Sequence, residues 1–414
     1  VPVSPAIAVP APVDPFRRAE FWILAGLLFV LPLFEAPKNI LWALYVLVWL
    51  GNRARSGDFG GAWDAWDTLI AAWIASGFVV AAFAGLHHNE WLGPLDLVRY
   101  GSMLWLLKRS RLSEREIWWL FGALAAGTVL ALLHGYWRLL IAHNRPVLEL
   151  KSVGNVNHSA IYLAIASGAL AGFIFTYWAR LARMARVASV VLLLALVVSV
   201  ILMQSRAAAA VTLAVILLLG VAWWPRSRRI GAAAVGSVIV ALAIAVAVQV
   251  EVIKKHDQQA AKGDVLSFRE GVWNAALVAW QRYPVFGIGM DNYSRVNDEL
   301  IRKWRADLGR ADDGKVMDTR WGHAHSLYLT TLAERGVVGF LALVAVLLLW
   351  LHRLKRHFPG RAGSDLAWAL WAASFSAWFV TVVIGLVNTT LHHEHALLAV
   401  ILLGLWLGEG RRSS

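Results

Sequence analysis

The stretch "VASVVLLLALVVSVILMQSRAAAAVTLAVILLLGVAWW", Val187–Trp224, decides the fold by the way it is divided. A helix needs about 20 apolar residues to cross a bilayer. This run is too long for one crossing and barely long enough for two. Its only polar triplet is Gln204–Ser205–Arg206. Splitting it there gives two short helices with Arg206 at the tip between them.

The basic residues decide between the two divisions. With the N-terminus inside, one side of the membrane receives Arg17/Arg18, Arg53/Arg55, the Lys108–Arg115 group, Arg180/Arg183/Arg186, the Arg226–Arg229 group, the Arg353–Arg361 group and Arg411/Arg412. The short loops on the other side hold only Lys38, Arg138, Arg145, Lys151 and Arg206. That asymmetry is the positive-inside rule. Treating 187–224 as a single span would break the alternation from Arg226 onward.

Apolar segments fall at about 20–36, 38–51, 66–86, 92–107, 117–137, 157–178, 187–203, 207–224, 230–250, 336–352, 366–387 and 392–408. The sequence therefore predicts an all-α polytopic membrane protein of about twelve transmembrane helices, both termini cytoplasmic. Composition agrees, because 59% of the 414 residues are hydrophobic and 16% charged, against roughly 25% charged in soluble domains. The net charge of +13 marks topology and contact with anionic membrane lipids rather than nucleic acid. Cysteine is absent, so disulfides and thiolate metal sites are excluded.

The organisation expected is a disordered tail over 1–19, helices one to nine within 20–250, a long polar loop over 251–335, helices ten to twelve within 336–408, and a short tail over 409–414. "VPVSPAIAVPAPVDPF" at the start lacks helical periodicity, and the first apolar segment reads as an uncleaved span. Within the loop, "SFREGVWNAALVAWQRYP" has Ser267 and Glu270 at capping-box spacing and is closed by Pro284, which predicts a surface helix over about 268–282. One of its faces carries Trp273, Ala276 and Trp280 beside Arg269.

A few polar residues stand out against this background. Arg206 is expensive near hydrocarbon, so it either snorkels to the surface or binds an anion. Arg269 sits in the first turn of the loop helix, where a cation opposes the dipole and an external phosphate would be welcome. "WGHAHSLYLTTLAERGVVG", Trp321–Gly339, sets His323 and His325 where the loop re-enters the membrane, ahead of Ser326, Thr330 and Glu334 at four-residue spacing. A histidine can take a proton near neutral pH. Metal is the competing use, through His323 and His325 or through "HHEH" at His392–His395, but there is no HExxH and Asp312–Asp313 lacks divalent-site spacing. Gly287 and Gly289 read as a tight turn after the helix, and Asp96 with Arg99 as an internal structural pair.

His325, Ser326, Gly336 and Gly339 fit a histidine, a small polar residue, nine variable residues and then Gly-x-x-Gly. Together with Arg269, Trp273, Pro284, Gly287, Gly289 and Asn292 in the preceding loop, this resembles the bacterial O-antigen ligases, members of one superfamily with the O-antigen polymerases. The resemblance implies an integral-membrane glycosyltransferase of the GT-C-like type in the inner membrane, with the long loop and active site in the periplasm. It implies no cofactor and no metal, an undecaprenyl-diphosphate-linked glycan as donor and lipid A–core as acceptor. His325 would be the essential base, with Arg206 and Arg269 on the diphosphate and inversion at the anomeric carbon. His323, Asn157 in "GNVNHS", Gly289, Asn292 and Ser326 would help hold substrate. A related polymerase or protein-directed O-oligosaccharyltransferase shares the donor chemistry; a transporter would need midplane ionisable residues or paired broken helices.

Overall fold

The computed structural model describes residues 15–88, 90–153, 155–239, 269–310 and 314–410. The expected tail before Pro15, Gly154, the end of the ninth apolar segment, the capping Ser267 and the Asp312–Asp313 pair lie outside the described residues. The described chain is all helix and loop. Its helices are α1 (Pro15–Val30), α2 (Glu35–Ser56), α3 (Ala65–Ala82), α4 (Gly93–Lys108), α5 (Glu114–Leu140), α6 (Val156–Tyr177), α7 (Arg183–Leu202) and α8 (Arg206–Trp223). They continue with α9 (from 228, described to 239), then α10 (Arg269–Arg282), α11 (Asp298–Asp307), α12 (Leu327–Arg356), α13 (Asp365–Ile384) and α14 (His393–Gly410).

The described part of each apolar segment lies largely in a helix, although the first, 20–36, runs from α1 through the turn at 31–33 into the start of α2, and the ninth is described only to residue 239. Among the described residues, seven are long and apolar enough to cross a membrane: α3, α5, α6, α7, α8, α12 and α13. This is a multi-pass membrane protein. The run Val187–Trp224 is two helices, α7 and α8, parted at Met203–Ser205 where Gln204 takes a positive φ of 55°.

Packing follows side-chain size. In lipid there is little hydrophobic drive between helices, so close van der Waals approach between small residues takes its place. α6 supplies Gly168 and Gly172, one turn apart, against α13. A Cβ at Gly168 would come 2.5 Å from Ser376 Oγ, and one at Gly172 2.4 Å from Ala372 Cβ. That α6–α13 pair forms the centre of the bundle, with α8 against both and α14 against α13, α4 and α6. α7 keeps most of its apolar surface outward, as a lipid-facing helix should.

The two ends of the bundle differ in chemistry. At one end, Asp67 at the start of α3 binds buried Lys108 and Arg109, at 2.8 and 2.9 Å. Nearby, Arg180 and Arg226 both reach Asp365, each at 2.7 Å. The opposite end gathers the polar segments from 269 to 326, the α7–α8 tip, and the chain entering α14. Val272, Ala275, Ala276 and Ala279 of α10, Tyr293, and Ile301 and Trp304 of α11 form a small core of their own there. The helix expected over 268–282 is thus α10, and its buried face is Val272, Ala275, Ala276 and Ala279. The bulky Trp273 and Trp280 are only half-buried, because small residues let α10 lie close to the segments beneath it.

α12 carries the decisive irregularity. It starts at Leu327, nine residues before the expected re-entry at 336, and breaks at Gly336 (φ 58°, ψ −161°). Unpaired backbone groups are costly in a membrane, and the break is repaired by the turn segment that follows α10. Ile288 and Gly289 donate to the carbonyls of Ala333 and Glu334, both at 2.9 Å, while Val337 and Val338 donate to Pro284 and Val285 at 2.8 and 3.1 Å. Gly287, expected only to allow a tight turn, is required by this approach, since a Cβ there would lie 2.4 Å from the Glu334 carbonyl carbon.

Candidate active site

His325 is delivered by the last loop residues before α12. Ser326 caps that helix: its Oγ accepts from Leu329 N at 3.4 Å and donates to the Gly385 carbonyl at 3.3 Å. With its side chain tied to backbone and buried, Ser326 fixes the backbone next to His325. The His325 ring meets Trp321 edge-on at 4.9 Å and His323 at 4.4 Å. Its own φ is 47°, a left-handed conformation that a non-glycine residue keeps only when its surroundings hold it.

Such strain is concentrated here. Besides His325, the non-glycine residues with positive φ include Gln204 beside Arg206, Asp291, Leu391 and His393. All five lie at the polar end of the bundle. Each costs on the order of 1–3 kcal/mol, and strain of this kind clusters at functional sites.

Two cations join the histidine. Arg206 is the first residue of α8 and Arg269 the first of α10, more than sixty positions apart in sequence. Arg269 is half-buried, and its guanidinium is pushed below the usual arginine range by desolvation and then by the charge of Arg206. The same guanidinium helps depress His325. Burial chiefly, then Arg269, holds that imidazole down to about 4, with Asp318 pulling the other way. Arg269 therefore stands within electrostatic reach of both partners. His325 is neutral in the free protein at pH 7, the form that accepts a proton.

His323 extends the site on its other side. It is also held down to about 4, by burial and then by His325 and His392. Its ring lies 6.1 Å from that of His158, and His158 lies 5.3 Å from buried His395. The "HHEH" segment thus meets the site, with Glu394 buried against Lys38. Asn157 is half-buried on the first turn of α6, beside His158. Among the described residues, no group of three or more His, Asp or Glu side chains is arranged to hold a metal ion.

Gly289 and Asn292 belong to the scaffold. Gly289 (φ 93°) leaves no room for a Cβ against the Asn292 amide. Asn292 is fully buried, donating to Leu86 O at 2.8 Å and Ile288 O at 3.0 Å. These two residues, expected to hold substrate, hold the backbone that repairs α12.

Sequence reading missed the carboxylates next to His323. A cavity of about 390 Å³ is bounded by α3, α4, α12 and the 290–294 turn, with Asp96, Asp291, Glu334 and Arg335 in its wall. Asp96 does pair with Arg99, at 3.5 Å, yet it also faces this cavity. Arg335 is buried inside α12, donating from Nη2 to Ser76 Oγ at 2.7 Å. A buried arginine beside a broken helix was the signal available in "ERGVVG".

Residues 190–344 match the family model described as O-antigen ligase. That matched stretch is somewhat over a third of the chain. The family is the one whose motif the sequence resembles, and the matched region contains Arg206, Arg269, His323, His325 and the break at Gly336. The chain is also 28% identical over 101 residues to an uncharacterised protein of Haemophilus influenzae, covering 22% of this chain and 23% of that protein. The match to that relative thus spans under a quarter of its length.

Proposed function

We propose that this protein is an O-antigen ligase of the bacterial inner membrane. On this reading it crosses the membrane twelve times with both termini cytoplasmic, and residues 251–335 form a periplasmic loop that holds the active site. It transfers polysaccharide from undecaprenyl diphosphate to a sugar of the lipid A–core, without metal and with inversion. The acceptor oxygen attacks the anomeric carbon, the bond from that carbon to the diphosphate oxygen breaks, and the acceptor proton passes to His325. Undecaprenyl diphosphate leaves against Arg206 and Arg269.

What supports the reading is placement: Arg206 opens α8, Arg269 opens α10 and His325 leads into α12 at the same end of the bundle, near enough that the charge of Arg206 lowers Arg269 and that of Arg269 lowers His325. Two arginines near enough to feel each other's charge can offer forked, charge-assisted contacts to a diphosphate. A neutral imidazole next to them is in the right state to act as base. The polyprenyl tail can remain in lipid against the outward face of α7 while the glycan projects from the polar end.

The test uses the purified full chain, undecaprenyl-diphosphate glycan and lipid A–core. Transfer is expected to persist in chelator and to be lost in His325→Ala and Arg269→Ala, with both variants still inserted in the membrane. Activity lost on chelation overturns the metal-free mechanism. Transfer surviving His325→Ala overturns the base.

A further inference from the structure

The cavity beside His323 has chemistry opposite to that of the arginine pair. Its wall holds Asp96 from α4, Asp291 from the turn before α11, and Glu334 from α12. Two aspartates and a glutamate, set against the buried Arg335, make this space a poor place for a diphosphate and a better one for a neutral group that both donates and accepts hydrogen bonds. Two further groups point to an occupant. Trp73 is 2% exposed and Arg335 6% exposed, both line the cavity, and the Trp73 indole Nε1 and Arg335 Nε find no hydrogen-bond partner among the described residues. A buried donor left unpaired costs about 1–3 kcal/mol, which a ligand offering acceptor oxygens would recover.

We propose that this cavity is the acceptor subsite, binding a neutral, hydroxyl-rich sugar ring through Asp96, Asp291 and Glu334 as acceptors and Trp73 and Arg335 as donors. Sugar hydroxyls both donate and accept, so one ring satisfies both sets at once. An aromatic wall at Trp73 suits the apolar face of a pyranose. At about 390 Å³ the space lies within the range of small-ligand pockets. His323 lies in the cavity wall and touches His325, so a hydroxyl held here is presented toward the base. The Asp291 carboxyl is itself raised by desolvation and then by Asp96, as expected where carboxylates crowd one space. A phosphorylated sugar would be rejected by the same crowding. This rests on the ligase reading for the identity of the acceptor, and its test has an arm that does not need transfer.

The test measures binding of lipid-free core oligosaccharide to the full chain in nanodiscs by calorimetry, and separately binding of undecaprenyl diphosphate. Variants are Asp291→Asn, Glu334→Gln and Trp73→Phe. Asp291→Asn is the least disruptive, because asparagine tolerates the positive φ of 62° there. Oligosaccharide affinity is expected to fall at least tenfold in each folded variant, with undecaprenyl diphosphate binding unchanged. In the transfer assay the acceptor KM should rise while the donor KM holds. Unchanged oligosaccharide binding in Asp291→Asn overturns the proposal, as does an equal loss for undecaprenyl diphosphate. Oligosaccharide binding that disappears in chelator also overturns it, by making the carboxylates a cation site. If the wild type binds the oligosaccharide through these residues but never transfers to it, the sugar site stands and the ligase reading falls.

Discussion

Changing the charge of Arg269 separates two effects that the geometry ties together. His325 titrates at about 4 in the free protein, against about 6.5 for an ordinary histidine. At pH 5.5 an ordinary imidazole is about 90% protonated and His325 only about 3%. Burial is the larger cause and Arg269 the second. Arg269→Gln is therefore expected to move the acid limb of kcat/KM upward from about pH 4, though not as far as 6.5. It should also slow turnover on the order of 10²–10³-fold, the typical loss when one group that stabilises developing negative charge is removed. Arg269→Lys keeps the charge but loses the fork, so turnover falls while the acid limb stays. Transfer from undecaprenyl-diphosphate glycan to lipid A–core, followed by gel shift from pH 4 to 8, gives both quantities. An acid limb that stays put in Arg269→Gln, or moves equally in Arg269→Lys, refutes the coupling between guanidinium and imidazole.

Two stability predictions follow from the scaffold. Gly287→Ala is expected to lower the melting temperature and the yield of folded protein. The positive φ of 69° alone costs about 1–3 kcal/mol for a side chain, and the new Cβ also meets α12 backbone; unchanged thermal unfolding in nanodiscs would show that the α12 repair is loose. Asp67→Asn leaves Arg109 without its carboxylate and Lys108 with Asp64 alone, at 2.7 Å, so the loss is expected at or below the about 3–5 kcal/mol typical of breaking a buried pair from one side. A melting temperature within error of wild type would mean that water reaches this cluster.

Hydropathy made the helices legible, because crossing length and the placement of basic residues are local properties. The polar triplet at Gln204–Arg206 marked the α7–α8 tip for the same reason. His325 was legible as a histidine at a membrane boundary, and the two arginines as cations where helix energetics would not choose them. The cavity was not legible, since Asp96, Asp291 and Glu334 come from distant parts of the chain and no spacing rule connects them. The roles of Gly287, Gly289 and Asn292 were hidden likewise. Their requirement comes from a break in α12 some fifty residues later, and backbone pairing across that distance leaves no periodic trace. For α10 the helix was legible but its packed face was not: Val272, Ala275, Ala276 and Ala279 turn inward because small residues allow the closer approach.

On the proposed ligase reading, from which the steps of transfer follow, the charges of the site account for how so weak a base would serve. An imidazole at about 4 gives little help to a hydroxyl in the free protein, because its conjugate acid forms beside the Arg269 cation. A bound diphosphate reverses the sign of that neighbourhood and raises the imidazole toward its ordinary value. As the glycosyl bond breaks, the leaving diphosphate gains negative charge while His325 gains positive charge. The two changes stabilise each other, and both are larger in the transition state than in the bound donor. Contacts that strengthen only as the reaction proceeds raise kcat rather than ground-state affinity. The mutual repulsion of Arg206 and Arg269 works in the same direction, since it is relieved most by the most highly charged form of the diphosphate. It follows that in the wild type the acid limb of kcat, measured with donor bound, must lie at higher pH than that of kcat/KM; coincident limbs would mean that His325 does not feel the donor's charge.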